Sequence, residues 1–205
     1  MDKKSKFLLL QVNDALFPIG GYSHSYGLET YIQKELVTNA AEAESYIRNK
    51  LTQNLLYNEL FFCRLAWERG QAQDMEGSRF AKTLKNCGIV YETPVFLRYL
   101  EKKKNGSVHH VIAYGIFCSS IGISLEDCLE HFLYAQTSAM VTNCVKSIPL
   151  SQTTGQQILV SCTEEMSRLL EQVKELPTEL LGAGAPGFDI RCMQHEGLYS
   201  RIYMS

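Results

Sequence analysis

Between Asn39 and Gly70 the chain runs thirty residues without an internal glycine or proline, and Ile47, Leu51, Leu55, Phe62 and Leu65 recur at steps of three, four or seven. That spacing lines one face of a helix. Asn39 with Glu42 three residues on forms a capping box that starts it, and Gly70 marks its end. At about 1.5 Å per residue the segment would span roughly 45 Å, comparable to a whole small domain. A helix of that length is a spine, and the remaining elements must pack along it.

The flanking segments carry the same helical signals. Residues 5–16 form a short apolar helix or an extended lead-in that ends before Phe17-Pro18. Gly27 to Leu36 puts Leu28, Tyr31 and Ile32 on one face. Asp74 to Cys87 does so with Phe80, Leu84 and Cys87, and stops at Gly88. Thr93-Pro94 supplies an N-cap and a first-turn proline, and Lys102-Lys103-Lys104 read as the solvated last turn of that helix in preference to a docking patch. His109-His110 open a small-residue helix closed by Gly122. Adjacent histidines point about 100° apart on a helix, so they do not chelate one ion together. Ser124 caps the next helix, with Glu126 and Asp127 in its first turn, Leu125, Leu129, Phe132 and Leu133 on its apolar side, and Pro149 at its end. Ser151 to Val173 reads as one helix or a broken pair with Ile158, Leu159, Met166, Leu169 and Leu170 inward. Residues 177–188, with three glycines and two prolines, read as loop, followed by at most two helical turns from Asp189 to Glu196. Strand-like alternation is missing. The expected fold is all-α, a single-domain helical bundle over residues 1–205.

Composition removes several classes of function. Twenty basic residues against twenty-two acidic ones give a net charge of −2, with lysine and arginine scattered rather than striped, so nucleic acid is not expected as a partner. No apolar run approaches a membrane span, and no membrane partner is expected. The seven cysteines at 63, 87, 118, 128, 144, 162 and 192 are never closer than ten residues, which leaves no C-x-x-C motif. Their odd number, and the absence of a signal peptide, suit a cytoplasmic chain with reduced cysteines.

The densest local chemistry lies from Asn13 to Glu29, where Pro18, Gly20, Gly21, Gly27, three aromatics and His24 share one bent link between two helices. A phosphate cradle would need glycine spacings that these do not match. Ser23 and Ser25 flank His24, but neighbours in sequence seldom aim at one point, and His24 has no ligand partner nearby. A buried or interface turn is the reading that remains. Two further segments stand out. From Tyr134 to Leu150, Gln136, Thr137, Ser138, Thr142 and Asn143 mix with apolar residues and need partners across a helix crossing or a subunit contact. Lys146 among them is either snorkelling or facing another protein. The last residues, with Leu198, Tyr199, Ile202 and Tyr203, are too apolar for a disordered end and want a surface to lie on.

These residues carry a resemblance. Phe17-Pro-Ile-Gly-Gly-Tyr-Ser-His-Ser-Tyr-Gly-Leu-Glu29 resembles the N-terminal signature of the UreF family of urease accessory proteins. Tyr134-Ala-Gln-Thr-Ser with Asn143-Cys-Val-Lys-Ser-Ile-Pro-Leu-Ser-Gln152 is similar to its central signature, and Met193-Gln-His-Glu-Gly-Leu-Tyr-Ser-Arg-Ile-Tyr-Met-Ser205 to its C-terminal one. Between Arg69 and Ser78 the sequence is shorter than the family pattern.

The resemblance implies an all-α scaffold, a homodimer, with no catalysis, metal or cofactor of its own. Its implied partners are UreD (UreH in some species), the GTPase UreG and apo-urease, with nickel and GTP carried by those partners. By position, Glu29 and Lys146 match charged residues on the face associated with the GTPase, and Tyr134 falls in the region near the dimer contact. His195, Glu196, Tyr199, Ser200, Arg201 and Tyr203 fall in the tail that orders on UreD/UreH. Two other functions remain open. One is a GTPase-activating protein with Arg201 or Arg191 as an arginine finger. The other is a metallochaperone using His24, His109, His110, His131 or His195.

Overall fold

The computed structural model describes residues 3–14, 17, 27–71, 87–89, 110–194 and 197–198. Among these residues the regular structure is helical and no strand occurs, as the patterning predicts. The helices are α1 (Lys3–Val12), α2 (Leu28–Gln33), α3 (Ala40–Lys50), α4 (Phe61–Gln71), α5 (His110–Ser120), α6 (Leu125–Ser147), α7 (Gln152–Ser161), α8 (Thr163–Glu175) and α9 (Pro186–Gln194). The expected helix from Asp74, its successor after Thr93-Pro94 and Lys102–Lys104 lie outside the described residues. Gly88 is described, at φ 69°, the left-handed conformation of a helix-stopping glycine.

The spine is present. Helices α3 and α4 are joined by Leu51–Leu60, wound as a π-helix, so one helical path runs from Ala40 to Gln71. Its start differs in detail from a capping box. Asn39 Oδ1 accepts the Glu42 N–H at 3.1 Å, but Glu42 Oε2 turns back one residue further, accepting from Thr38 N at 2.7 Å and Thr38 Oγ1 at 2.9 Å. Those bonds hold the Glu42 carboxyl below its usual range. The π-helical stretch buries Leu51, Leu55, Leu56 and Leu60 together with Asn54 and Glu59. Its Tyr57 carbonyl accepts an outside donor, the Gly182 N–H, at 3.0 Å.

Among the described residues, helix α5 packs along α4 more extensively than any other pair of helices. The approach needs Gly115, because a Cβ there would lie 2.7 Å from the Cys63 carbonyl oxygen and 2.9 Å from Ala66 Cβ. Ser124 caps α6 as expected, accepting the Asp127 N–H at 3.0 Å, and the helix lays Leu129, Phe132, Leu133, Met140 and Val141 into the core. Tyr114, fully buried, locks three elements together: its hydroxyl accepts from Asn13 Nδ2 at 2.8 Å and donates to the Cys128 carbonyl at 3.3 Å.

Residues 151–173 form a broken pair, α7 and α8, split at Cys162. Hydroxyls on both sides of the break take up helix carbonyls: Ser161 Oγ donates to Ile158 O at 2.8 Å and Thr163 Oγ1 to Val160 O at 2.7 Å. The far end of α8 is closed by the spine. Arg64, 8% exposed, donates through Nη1 to the carbonyls of Val173 (2.6 Å), Lys174 (2.9 Å) and Leu176 (3.1 Å), where a helix dipole welcomes a cation.

The loop expected over 177–188 is shorter than that. Thr178–Leu180 makes a turn of 3-10 helix, and α9 begins at Pro186, three residues before the predicted start. Proline has no N–H to lose at a first helical position and its φ suits it, so Pro186 opens a helix that the sequence reading takes for loop.

Candidate functional site

The N-terminal link and the C-terminal helix meet. Gly27 ends the link at φ 79°, and a Cβ there would stand 3.1 Å from Arg191 C, Arg191 Cβ and Cys192 N, so both the conformation and the close approach call for glycine. Thr30, fully buried, donates from Oγ1 to the Arg191 carbonyl at 3.0 Å. The Arg191 guanidinium lies 5.7 Å from the Tyr31 ring centre and donates to Gln194 Oε1 at 2.7 Å.

Phe188 is the anchor of α9 and the buried residue on that helix. Its ring packs at 6.0 Å from Tyr31 and 5.9 Å from Tyr46, with Tyr31 and Tyr46 edge-on to each other at 5.2 Å. Lys50, 2% exposed, places its Nζ 4.9 Å from the Phe188 ring centre and donates to Asn54 Oδ1 at 2.6 Å. Burial pushes the Lys50 ammonium below its ordinary pKa, and the charges of Glu59, Cys192 and Asp189 work against that shift. Burial likewise raises the Cys192 thiol, opposed by Lys50, and the Tyr31 phenol, opposed by Arg191. The sequence reading missed this polar cluster. Its signal was present, since Lys50 and Asn54 are four apart and share the face of Ile47 and Leu51.

Helix α6 contributes a second region. Its solvent side carries Glu126, Glu130, Tyr134 at 54% exposure, Thr142 and Lys146. Lys146 lies in the last turn and makes no ion pair among the described residues. The polar residues of this helix divide. Gln136, Thr137 and Asn143 are buried, whereas Thr142 is exposed. Thr137 does not need a partner across a crossing, because its Oγ1 donates to the Leu133 carbonyl of its own helix at 2.8 Å.

Of the residues singled out in the sequence, Gly27 has φ 79°, and Tyr134 and Lys146 face solvent. Glu29 is 2% exposed, so its carboxylate lies inside the chain rather than on an open face. Pro18, Gly20, Gly21, His24, His109, His195, Glu196, Tyr199, Ser200, Arg201 and Tyr203 lie outside the described residues. His110 is half-buried against the rings of Tyr114 and Phe132, and His131 Nδ1 sits 2.8 Å from the Asp127 carbonyl, so each histidine is engaged locally. Among the described residues, no group of three or more His, Cys, Asp or Glu side chains could hold a metal ion.

Comparison with known proteins adds an independent line. A family model described as UreF matches residues 75–163. The chain is 32% identical over 224 residues to the urease accessory protein UreF of Bacillus sp. (strain TB-90), covering 96% of this chain and 97% of that one. It is 34% identical over 221 residues to the urease accessory protein UreF of Haemophilus influenzae (strain PittGG), covering 96% and 94%. For the same-named protein of Geobacillus kaustophilus (strain HTA426) the identity is 31% over 217 residues, covering 96% of both.

Proposed function

The chain belongs to the UreF family of urease accessory proteins, and from that membership we propose that it matures urease as a scaffold with no catalysis of its own. Its partners are UreD/UreH, the GTPase UreG and apo-urease, and nickel and GTP travel on those partners. A homodimer of the chain presents two equivalent faces, which hold two UreG copies near each other. Tighter binding to the nucleotide-bound, metal-loaded pair than to the spent one couples GTP hydrolysis to nickel release into apo-urease, because differential affinity is what such coupling requires.

Lys146 is the observation that carries this reading. It is exposed at the end of a helix whose other side is core, it has no ion pair within the chain among the described residues, and an exposed aromatic, Tyr134, shares the helix. A cation with no ion pair among the described residues, on a helix that also exposes an aromatic ring three turns away, suits partner selection by charge. At the other end, α9 shows Ile190 at 51% and Met193 at 74% exposure and leads into the tail 195–205, which docks on UreD/UreH. A short helix with one buried side chain and exposed apolar residues beyond it suits ordering coupled to binding.

The test is capture of UreG by the chain and UreD/UreH together. Lys146→Ala should weaken capture at least about tenfold. It should move the melting midpoint by no more than about 4 °C, since only a helix-end charge worth about 0.3–1 kcal/mol is lost. Unchanged capture would remove Lys146 from the interface.

A further inference from the structure

Helix α1 has an outer face that the scaffold reading leaves unused. Its inner side is fastened: Ser5, Leu9 and Val12 are buried, and Ser5 Oγ donates to the Ile121 carbonyl at 3.2 Å. Opposite, Phe7 is 71% and Leu10 49% exposed, and Lys3, Lys4 and Lys6 are exposed with them. At about 100° per residue, Lys3, Phe7 and Leu10 form one ridge pointing away from the protein, with Lys6 on one flank and Lys4 on the other. The lysines gain nothing from their own helix. They occupy its N-terminal half, where the backbone dipole favours acids, the first turn holds no acidic residue, and none of the three makes an ion pair among the described residues. Side chains that break a local rule without internal compensation point to a use outside the fold.

We propose that α1 is a peripheral contact with an anionic lipid surface, seating Phe7 and Leu10 at the acyl boundary and the three lysines among the phosphates. The ridge exposes on the order of 200 Å² of apolar side chain, well short of the roughly 800 Å² that a stable protein partner covers on each side. A lipid surface has no such threshold, because an amphipathic face and a few basic charges act together on it. The contact is superficial, since no helix among the described residues is long and apolar enough to cross a membrane. It revises the expectation that no membrane is among the partners, and it stands whether or not the UreG interface is as described above.

The probe is vesicle flotation of the full chain, with phosphatidylcholine alone and with phosphatidylcholine mixed with phosphatidylglycerol. The chain should float with the mixed vesicles, less so as salt is raised, and stay behind with the neutral ones. Lys3→Gln/Lys4→Gln/Lys6→Gln should lower the partition about 100-fold, at roughly fivefold per lysine. Phe7→Ser/Leu10→Ser should lower it at least about tenfold. Circular dichroism and the melting midpoint should be unchanged in both variants, because the replaced side chains face water. Absence of flotation, equal flotation with neutral vesicles, or flotation retained by both variants overturns the proposal. So does a wild type that ignores vesicles but self-associates in sedimentation and is made monomeric by Phe7→Ser/Leu10→Ser, since a second copy then covers the ridge.

Discussion

Phe188→Ala tests how α9 is held. The ring is 8% exposed, and around it stand Tyr31, Tyr46 and Lys50. Truncating a buried phenylalanine removes about 3–5 kcal/mol. Because Phe188 is the buried residue of α9, that loss falls on the docking of one short helix and not on the whole core. At about 1.4 kcal/mol per factor of ten, the population with α9 undocked should rise about 10²–10⁴-fold. Hydrogen exchange reads this directly: amides of 186–194 should exchange faster by that factor, while those of α4 and α5 keep their protection. The melting midpoint should fall by less than about 4 °C, where a full core loss in a chain of this size would cost about 2–4 °C for each kcal/mol. Unaltered exchange in α9, or a large fall in midpoint with uniform loss of protection, would refute the view of α9 as a separately docked element.

Three other outcomes follow from the same packing. Gly27→Ala places a Cβ in a left-handed conformation, costing about 1–2 kcal/mol, and presses it against the Arg191 backbone, so it should loosen α2 and α9 together in hydrogen exchange. Arg64→Ala strips three carbonyls at the end of α8 of their donor and should destabilise by about 1–3 kcal/mol, seen as a midpoint lower by roughly 2–12 °C, with Arg64→Lys recovering only part of it. Burial lowers Lys50 below its ordinary 10.5, so docked α9 binds fewer protons there and docking should strengthen as pH rises through the folded pKa towards 10.5. Cys192, raised by burial, acts in the opposite sense above its ordinary 9.0, so the effect should emerge in Cys192→Ser and flatten when Lys50→Met is added, with α9 protection referred to intrinsic exchange rates.

How much of this was legible in the sequence depended on whether the signal was local. The spine and the Ser124 cap are written in spacings of three and four and in capping residues, and they stand in the structure, whereas the sequence left residues 151–173 open between one helix and a broken pair and carried no side-chain cap to mark the break at Cys162. Pro186 misled because proline marks both loops and helix starts, and only its neighbours in space decide between them. The π-helical winding of Leu51–Leu60 left no trace, since apolar steps of four and seven fit an α-helix equally well. Two residues sit where local sequence did not point. Glu29 looked like a surface charge beside glycines and is buried, and Arg64, unnoticed among apolar neighbours, closes a helix on the far side of the fold. The family signatures pointed to the region around α2 and α9, but only coordinates show the two meeting at Arg191.

The Arg64 clamp also sets an order of events at the ribosome. Its acceptor Val173 lies 109 residues downstream. At about 5–20 residues per second of synthesis, the Arg64 guanidinium waits roughly 5–20 s for the carbonyls that will accept its hydrogen bonds. Throughout that interval Glu68, one turn on in the same helix and 3.2 Å from Arg64 Nε, is the partner within reach, while the apolar flank of the spine stays uncovered until α8 emerges, which is the interval in which the nascent chain is most prone to stray association.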